Sequence, residues 1–209
     1  MFGLFLVSLV GMSLSGWHDF NDEQQDHHQP TLGYASYLGT GHFVGGVFEN
    51  WESEFLQMGA YVAMTIFLFQ KGSPESKKLE GEETCDEDPN TCDPEKLKNA
   101  PWPVRRGGWM LKLYSNSLSL ALFALFFLSF VLHAVGGVRE YNREQAFSGQ
   151  PSASLGEFLV SPQFWWQSFQ NWQSEFLSVG VLVVFSIFLR QKGSPESKAV
   201  ADPHDKTGD

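Results

Sequence analysis

Positive charge is scarce in this chain. Its 209 residues carry 14 Lys and Arg against 24 Asp and Glu, a formal net charge of −10. A nucleic-acid binder neutralises phosphates with basic side chains, so this balance excludes a nucleic-acid partner. Cysteine is nearly absent. Cys85 and Cys92, with six residues between them, sit in an acidic, proline-containing stretch and fall short of a zinc signature. The chain also lacks a phosphate-cradling glycine loop, a dinucleotide-binding glycine pattern, a nucleophile elbow and a zinc-protease helix. No enzyme activity, catalytic residue, metal or cofactor is therefore expected. What the chain does have is 19 Phe and 7 Trp, which argues against disorder. The mean hydropathy falls slightly below zero only because the apolar residues are clustered.

Four clusters stand out: Met1–Gly16, Phe55–Phe69, Leu118–Val138 and Phe176–Leu189. A membrane helix needs about 20 mostly apolar residues to cross about 30 Å of hydrocarbon. The third cluster meets this outright. The second and fourth meet it if their helices begin near Asn50 and Asn171, which draws Glu54 and Glu175 into the membrane margin. Buried helices of a soluble protein are the alternative for those two. The first cluster is short for a crossing, which leaves a locally mismatched helix, a chain starting further upstream, or a cleaved signal peptide without its basic leader.

The sequence repeats itself. At an offset of 121, residues 50–77 align without a gap to residues 171–198 with 19 of 28 positions identical, from NWESEFL and NWQSEFL through to QKGSPESK in both. Each copy reads as span, polar connector, span, KGSPESK. An even number of spans per copy makes both copies enter the membrane in the same sense, the parallel-repeat case. The expected fold is all-α: an integral-membrane four-helix bundle made by tandem duplication of a helical hairpin. Residues 1–77 form the first two-span repeat, 78–113 an acidic cytoplasmic linker, 114–198 the second repeat, and 199–209 a disordered tail.

The connectors 18–54 and 139–175 hold two of the fourteen basic residues, Arg139 and Arg143, together with eleven acids. The positive-inside rule therefore puts the linker and both termini in the cytoplasm and an acidic face outside. There the two thiols stay reduced. Gly72 and Gly193, each two residues before a proline, are expected to cap the second and fourth helices. Trp51, Trp165, Trp166 and Trp172 on one side, and Trp102, Trp109 and Tyr114 on the other, read as interfacial belts.

Candidate site residues lie on the second helix. Asn50, Glu54, Gln57, Tyr61 and Thr65 recur at spacings of four, three, four and four, one polar stripe on a helix. The second copy keeps Asn171, Glu175 and Ser178. Ionisable groups at membrane depth need a partner or a function, and His133, near the outer end of the third span, is the expected partner of Glu54 and Glu175. Its repeat counterpart is Met12, so there is one such histidine. A lone intramembrane histidine argues against haem, which needs paired ligands. In Trp17–His28, the pairs His18–Asp22 and Glu23–His27 have chelating spacing on a helix, but their counterparts include Arg139 and Arg143. A solvated connector is the simpler reading there, and likewise for His42.

NWESEFL, NWQSEFL, the paired KGSPESK, PWPVRRGGW and HAVGGVREYN together resemble a family of bacterial membrane proteins known as a domain of unknown function. The resemblance covers nearly the whole chain and implies a multi-pass protein of the plasma membrane, with residues ahead of the first span in its relatives. It implies no activity, substrate or site. Two functions stay open. One is a non-enzymatic structural or partner-binding membrane component, whose partners are the lipid bilayer and a second copy or another membrane protein. The other is a small proton- or cation-conducting transporter or channel lined by Glu54, Glu175 and His133.

Overall fold

The computed structural model describes residues 2–81, 83–91 and 93–208. Among these the chain is all-helical, with α1 (Phe2–Asp26), α2 (Tyr34–Tyr37), α3 (Gly41–Met64), α4 (Pro94–Asn99), α5 (Trp102–Arg106), α6 (Gly108–Ser115), α7 (Ser117–Phe147), α8 (Leu155–Leu159) and α9 (Pro162–Phe188). Element boundaries recur with the sequence repeat. The ends of α1 and α7 (26 and 147), the starts of α2 and α8 (34 and 155) and the starts of α3 and α9 (41 and 162) each differ by 121.

The same side-chain devices explain the recurrence. Asn21 donates to the carbonyl of Leu32 (3.0 Å) and accepts from its N–H (2.8 Å). Asn142 does the same with Ala153, at 2.9 and 2.7 Å. Each asparagine thus supplies both groups that an extended backbone would otherwise leave unpaired. In the KGSPESK segments, Ser76 Oγ accepts from the N–H of Gln70 at 2.8 Å and Ser197 Oγ from that of Gln191 at 2.9 Å. Ser73 and Ser194 Oγ each accept from the N–H two residues on, at 3.2 Å.

Several boundaries differ from expectation. The first helix runs ten residues past its apolar stretch, through Asp26. The helix over the second cluster ends at Met64. Gly72 and Gly193 are therefore not helix caps. They lie beyond Met64 and Phe188, at φ of 87° and 86°, inside the KGSPESK turns, where a residue without Cβ is favoured. The stretch 78–113, expected as a linker, carries α4, α5 and most of α6. Residues 199–208 are tied down rather than free: the buried Lys198 ammonium donates to the carbonyls of Pro203, His204 and Lys206, and Gly208 N–H donates to Ser73 O at 3.0 Å. Cys85 is exposed; Cys92 lies outside the described residues.

Of the four apolar clusters, two sit in helices long and apolar enough to cross a membrane, α7 and α9. In α1 the apolar cluster that ends at Gly16 is followed within three residues by Asp19. In α3 the three acids Glu49, Glu52 and Glu54 precede an apolar run cut short at Met64.

The chain divides into two compact units. Unit 1 comprises Met1–Glu54 and Leu125–Trp172, and its centre is Ala134, Phe158 and Phe164, packed by Phe130, Val138, Tyr141 and Leu159. Here α3 and α7 touch through glycine. A Cβ on Gly41 would lie 2.6 Å from both Glu140 N and Gly136 O, and one on Gly136 would lie 2.7 Å from Gly45 Cα. Arg143 of α7 binds α1 by donating to Glu23 (2.5 Å) and Gln24 (3.2 Å), and its guanidinium covers the Phe20 ring. Unit 2 comprises Phe55–Ala124 and Gln173–Asp209. Its contacts include Phe123 against Gly59, Tyr61 donating to Glu75, and Gly72 N–H donating to Thr207.

Two predictions follow from this packing. Gly136→Val destabilises the protein by about 1–3 kcal/mol through backbone overlap, whereas Gly180→Ala, which meets nothing within 4 Å, raises stability by about 0.5–1 kcal/mol; thermal unfolding in detergent measures both. Burial, and then the Glu140 charge, push the Tyr37 phenol from 10.0 to about 12. The proton is held more tightly when folded, so this contribution to stability is complete below pH 10 and is lost as pH rises toward 12. Tyr37→Phe flattens that part of the pH–stability curve.

Candidate functional site

Three helices of unit 1 bring their polar stripes together. On α3, Gly41, Gly45, Glu49 and Glu52 follow one another at four, four and three. On α7, His133, Gly137, Glu140 and Glu144 do so at four, three and four. On α9, Gln163 and Gln167 are four apart. Each set is a single helical face. The glycines let α3 and α7 approach closely enough for the longer side chains to meet.

The centre is Glu52, whose side chain is wholly buried. Trp172 Nε1 donates to its Oε1 at 3.0 Å, and His133 Nδ1 lies 2.8 Å from its Oε2. Trp172 can only donate, and a carboxylate can only accept. With Nδ1–H directed at Glu52, the other ring nitrogen, Nε2, accepts in a neutral ring and donates in a protonated one. His133 is 1 % exposed, and its ring stacks on Phe164 with centroids 4.9 Å apart. Its Nε2 has no partner, and neither does the buried Oε1 of Gln167. Buried polar atoms without partners are rare and costly.

Both atoms belong to residues that line one cavity of about 240 Å³. The carboxylates of Glu49, Glu140 and Glu144 line it as well, and among the described residues no Lys or Arg does. A Cβ on Gly137, another part of the wall, would lie 3.8 Å from His133 Cδ2. Glu140 is paired with Arg143, and Glu49 accepts from Asn171 Nδ2 at 2.6 Å. His42, another lining residue, contacts the Tyr37 hydroxyl through Nδ1 at 3.0 Å.

The expected site residues are distributed as follows. His133 is at the centre, but the acid it meets is Glu52, not Glu54 or Glu175. Glu54 is exposed, two residues and about 200° around α3 from Glu52. Asn50 is exposed and bonds to Gly46 O of its own helix. Asn171 touches the cavity wall through Glu49. Glu175 is half-buried and lies in unit 2. Trp172 donates its indole N–H to Glu52. The chelating pairs on α1 are drawn elsewhere, Glu23 to Arg143 and His27 onto the Phe147 ring. Among the described residues no group of three His, Cys, Asp or Glu is placed to hold a metal ion. Glu49, Glu52, Glu140, Glu144 and Gln167 escaped the sequence reading; the signal for them was the four-residue glycine spacing, Gly41 to Gly45, that leads straight to Glu49.

A family model described as a domain of unknown function, DUF6766, matches residues 1–209. The chain belongs to that family. No curated protein and no solved structure matches it. The family carries no assigned activity, so the cavity is described by its chemistry: a pocket lined by three carboxylates, two glutamines, a tyrosine and two histidines, beside the buried Glu52–His133–Trp172 cluster.

Removing the central carboxylate tests the geometry. Glu52→Ala leaves His133 and Trp172 without their buried acceptor and costs about 3–5 kcal/mol. Glu52→Gln, which keeps one acceptor oxygen, costs less, and the exposed Glu54→Ala changes stability by no more than about 0.5 kcal/mol. Equal losses at positions 52 and 54 in thermal unfolding would contradict the assignment.

Proposed function

We propose that the chain is a multi-pass protein of the bacterial plasma membrane, built from two copies of a helical hairpin, that acts as a non-enzymatic structural or partner-binding component. The observation that carries this reading is the bareness of its apolar helices. Only 22 % of the most apolar stretch of α7 and 6 % of that of α9 is buried within the chain, and Leu182, Val184, Phe185 and Phe188 of α9 are all about half exposed. A soluble protein would cover such a surface, and lipid is the solvent that tolerates it. The 121-residue recurrence of element boundaries supports the duplicated hairpin, and both termini and the linker lie in the cytoplasm by the distribution of Lys and Arg. A second copy or another membrane protein is the partner for the faces that lipid does not cover.

A second reading, a small transporter of protons or cations, is favoured by one observation: the acidic cavity beside His133. Fractionation and labelling test the first reading. After an alkaline carbonate wash the protein stays with the membrane and is released by detergent. In a Cys92→Ser variant, a membrane-impermeant thiol reagent reaches Cys85 only in permeabilised cells. Release by carbonate alone refutes the membrane assignment, and labelling of intact cells inverts the orientation.

A further inference from the structure

We infer that the α5–α6 pair is a docking surface for anionic phospholipid headgroups, placed where the chain enters the membrane. The inference rests on the membrane reading above and names the class of lipid that this part of unit 2 selects.

The basic residues of this acidic chain are unevenly placed. From Lys96 to Lys112 there are five Lys and Arg and no Asp or Glu, whereas residues 78–95 hold eight acids and one Lys. With so many carboxylates next to it in sequence, the basic stretch has partners available within the chain. Lys96 uses one of them, Glu87. Lys98, Arg105, Arg106 and Lys112 form no ion pair among the described residues, and all four are exposed. Their charge is left for a partner of opposite sign outside the chain.

Aromatic and apolar side chains accompany these charges and narrow the partner to lipid. On α6, Trp109, Lys112 and Leu113 share one helical face by their spacing. Trp109 is 70 % and Leu113 51 % exposed, while Leu111, about 200° around the helix from Trp109, is buried. On α5 the Arg106 guanidinium lies over the Trp102 ring, 5.3 Å from its centroid. Exposed indoles and leucines interleaved with Lys and Arg are the composition of a helix lying in the headgroup layer, where the ring sits at the boundary and the cation meets phosphate. A soluble anion offers Trp109 and Leu113 nothing to bury against; a lipid surface serves the charges and the apolar groups together. Position agrees. Asn116 alone separates α6 from α7, a helix long and apolar enough to span, whose first turn exposes Leu118 and Leu120. Basic clusters at the cytoplasmic end of a span are where anionic headgroups are recognised.

The test uses the full chain in a mild uncharged detergent, incubated with an equal mixture of phosphatidylcholine and phosphatidylglycerol and re-isolated by size exclusion. Retained lipids are counted by mass spectrometry. Phosphatidylglycerol is expected in excess, and added inorganic phosphate at matched ionic strength does not displace it. The triple variant Arg105→Gln, Arg106→Gln, Lys112→Gln lowers the ratio of the two lipids about tenfold or more, because each cation at an anionic surface contributes about fivefold. A second triple variant, Lys71→Gln, Lys78→Gln, Lys192→Gln, removes the same charge from other exposed positions and leaves the ratio nearly unchanged. Trp109→Ala, which alters no charge, lowers retained phosphatidylglycerol severalfold. Equal retention of both lipids by the unaltered chain, equal losses in the two triple variants, full retention in Trp109→Ala, or displacement by inorganic phosphate overturns the proposal. The carbonate wash is scored separately: a chain that resists carbonate yet shows no lipid preference loses this inference and keeps the membrane reading.

Discussion

The buried Glu52 carboxylate holds unit 1 together in a way that no apolar contact could. It accepts from an indole on α9 and an imidazole on α7 while belonging to α3, so a single side chain fixes the mutual rotation of three helices. Burying a charge is expensive unless each oxygen is answered, and both are. Rotating any of the three helices by one residue would break a bond that no water replaces. The glycine contacts between α3 and α7 are the steric condition for this arrangement, because bulkier residues at 41, 45 or 136 would hold the helices too far apart for the triad to close.

Much of the fold was legible in the sequence. Period and duplication gave helices, and the offset of 121 matched boundaries to the residue at the ends of α1 and α7. Apolar clustering located the helices but not their ends. α3 stops at Met64, short of Phe69, and α1 continues past its apolar stretch because its polar end finds partners in Arg143 and Leu32. The candidate site was half legible. His133 stood out as the lone histidine of an apolar run. Its partner was misjudged because Glu54, on the visible polar stripe, looked like the inward face, whereas the face of α3 that turns inward in unit 1 carries Gly41, Gly45, Glu49 and Glu52. Small residues, which let backbones approach, were the better guide to that face than polar ones.

Duplication explains the scaffold, while the site breaks its symmetry. At the 121-residue offset, His133 corresponds to Met12, Glu52 to Gln173 and Glu49 to Gln170. The clamps, turns and helix starts recur in both copies, and so do the acids of α7, since Glu140 corresponds to Asp19 and Glu144 to Glu23, yet the pairing of Glu52 with His133 is present once.

The asparagine clamps bear on how such a chain is assembled during synthesis. Each closes a loop between residues only 11 positions apart, so its bonds depend on nothing further along the polypeptide. A corner of this kind can set as soon as it leaves the ribosome, with the following helix emerging already aimed back along its predecessor. Loop closure over so few residues carries little entropic penalty, which makes the two corners natural starting points for hairpins that pair with each other only later.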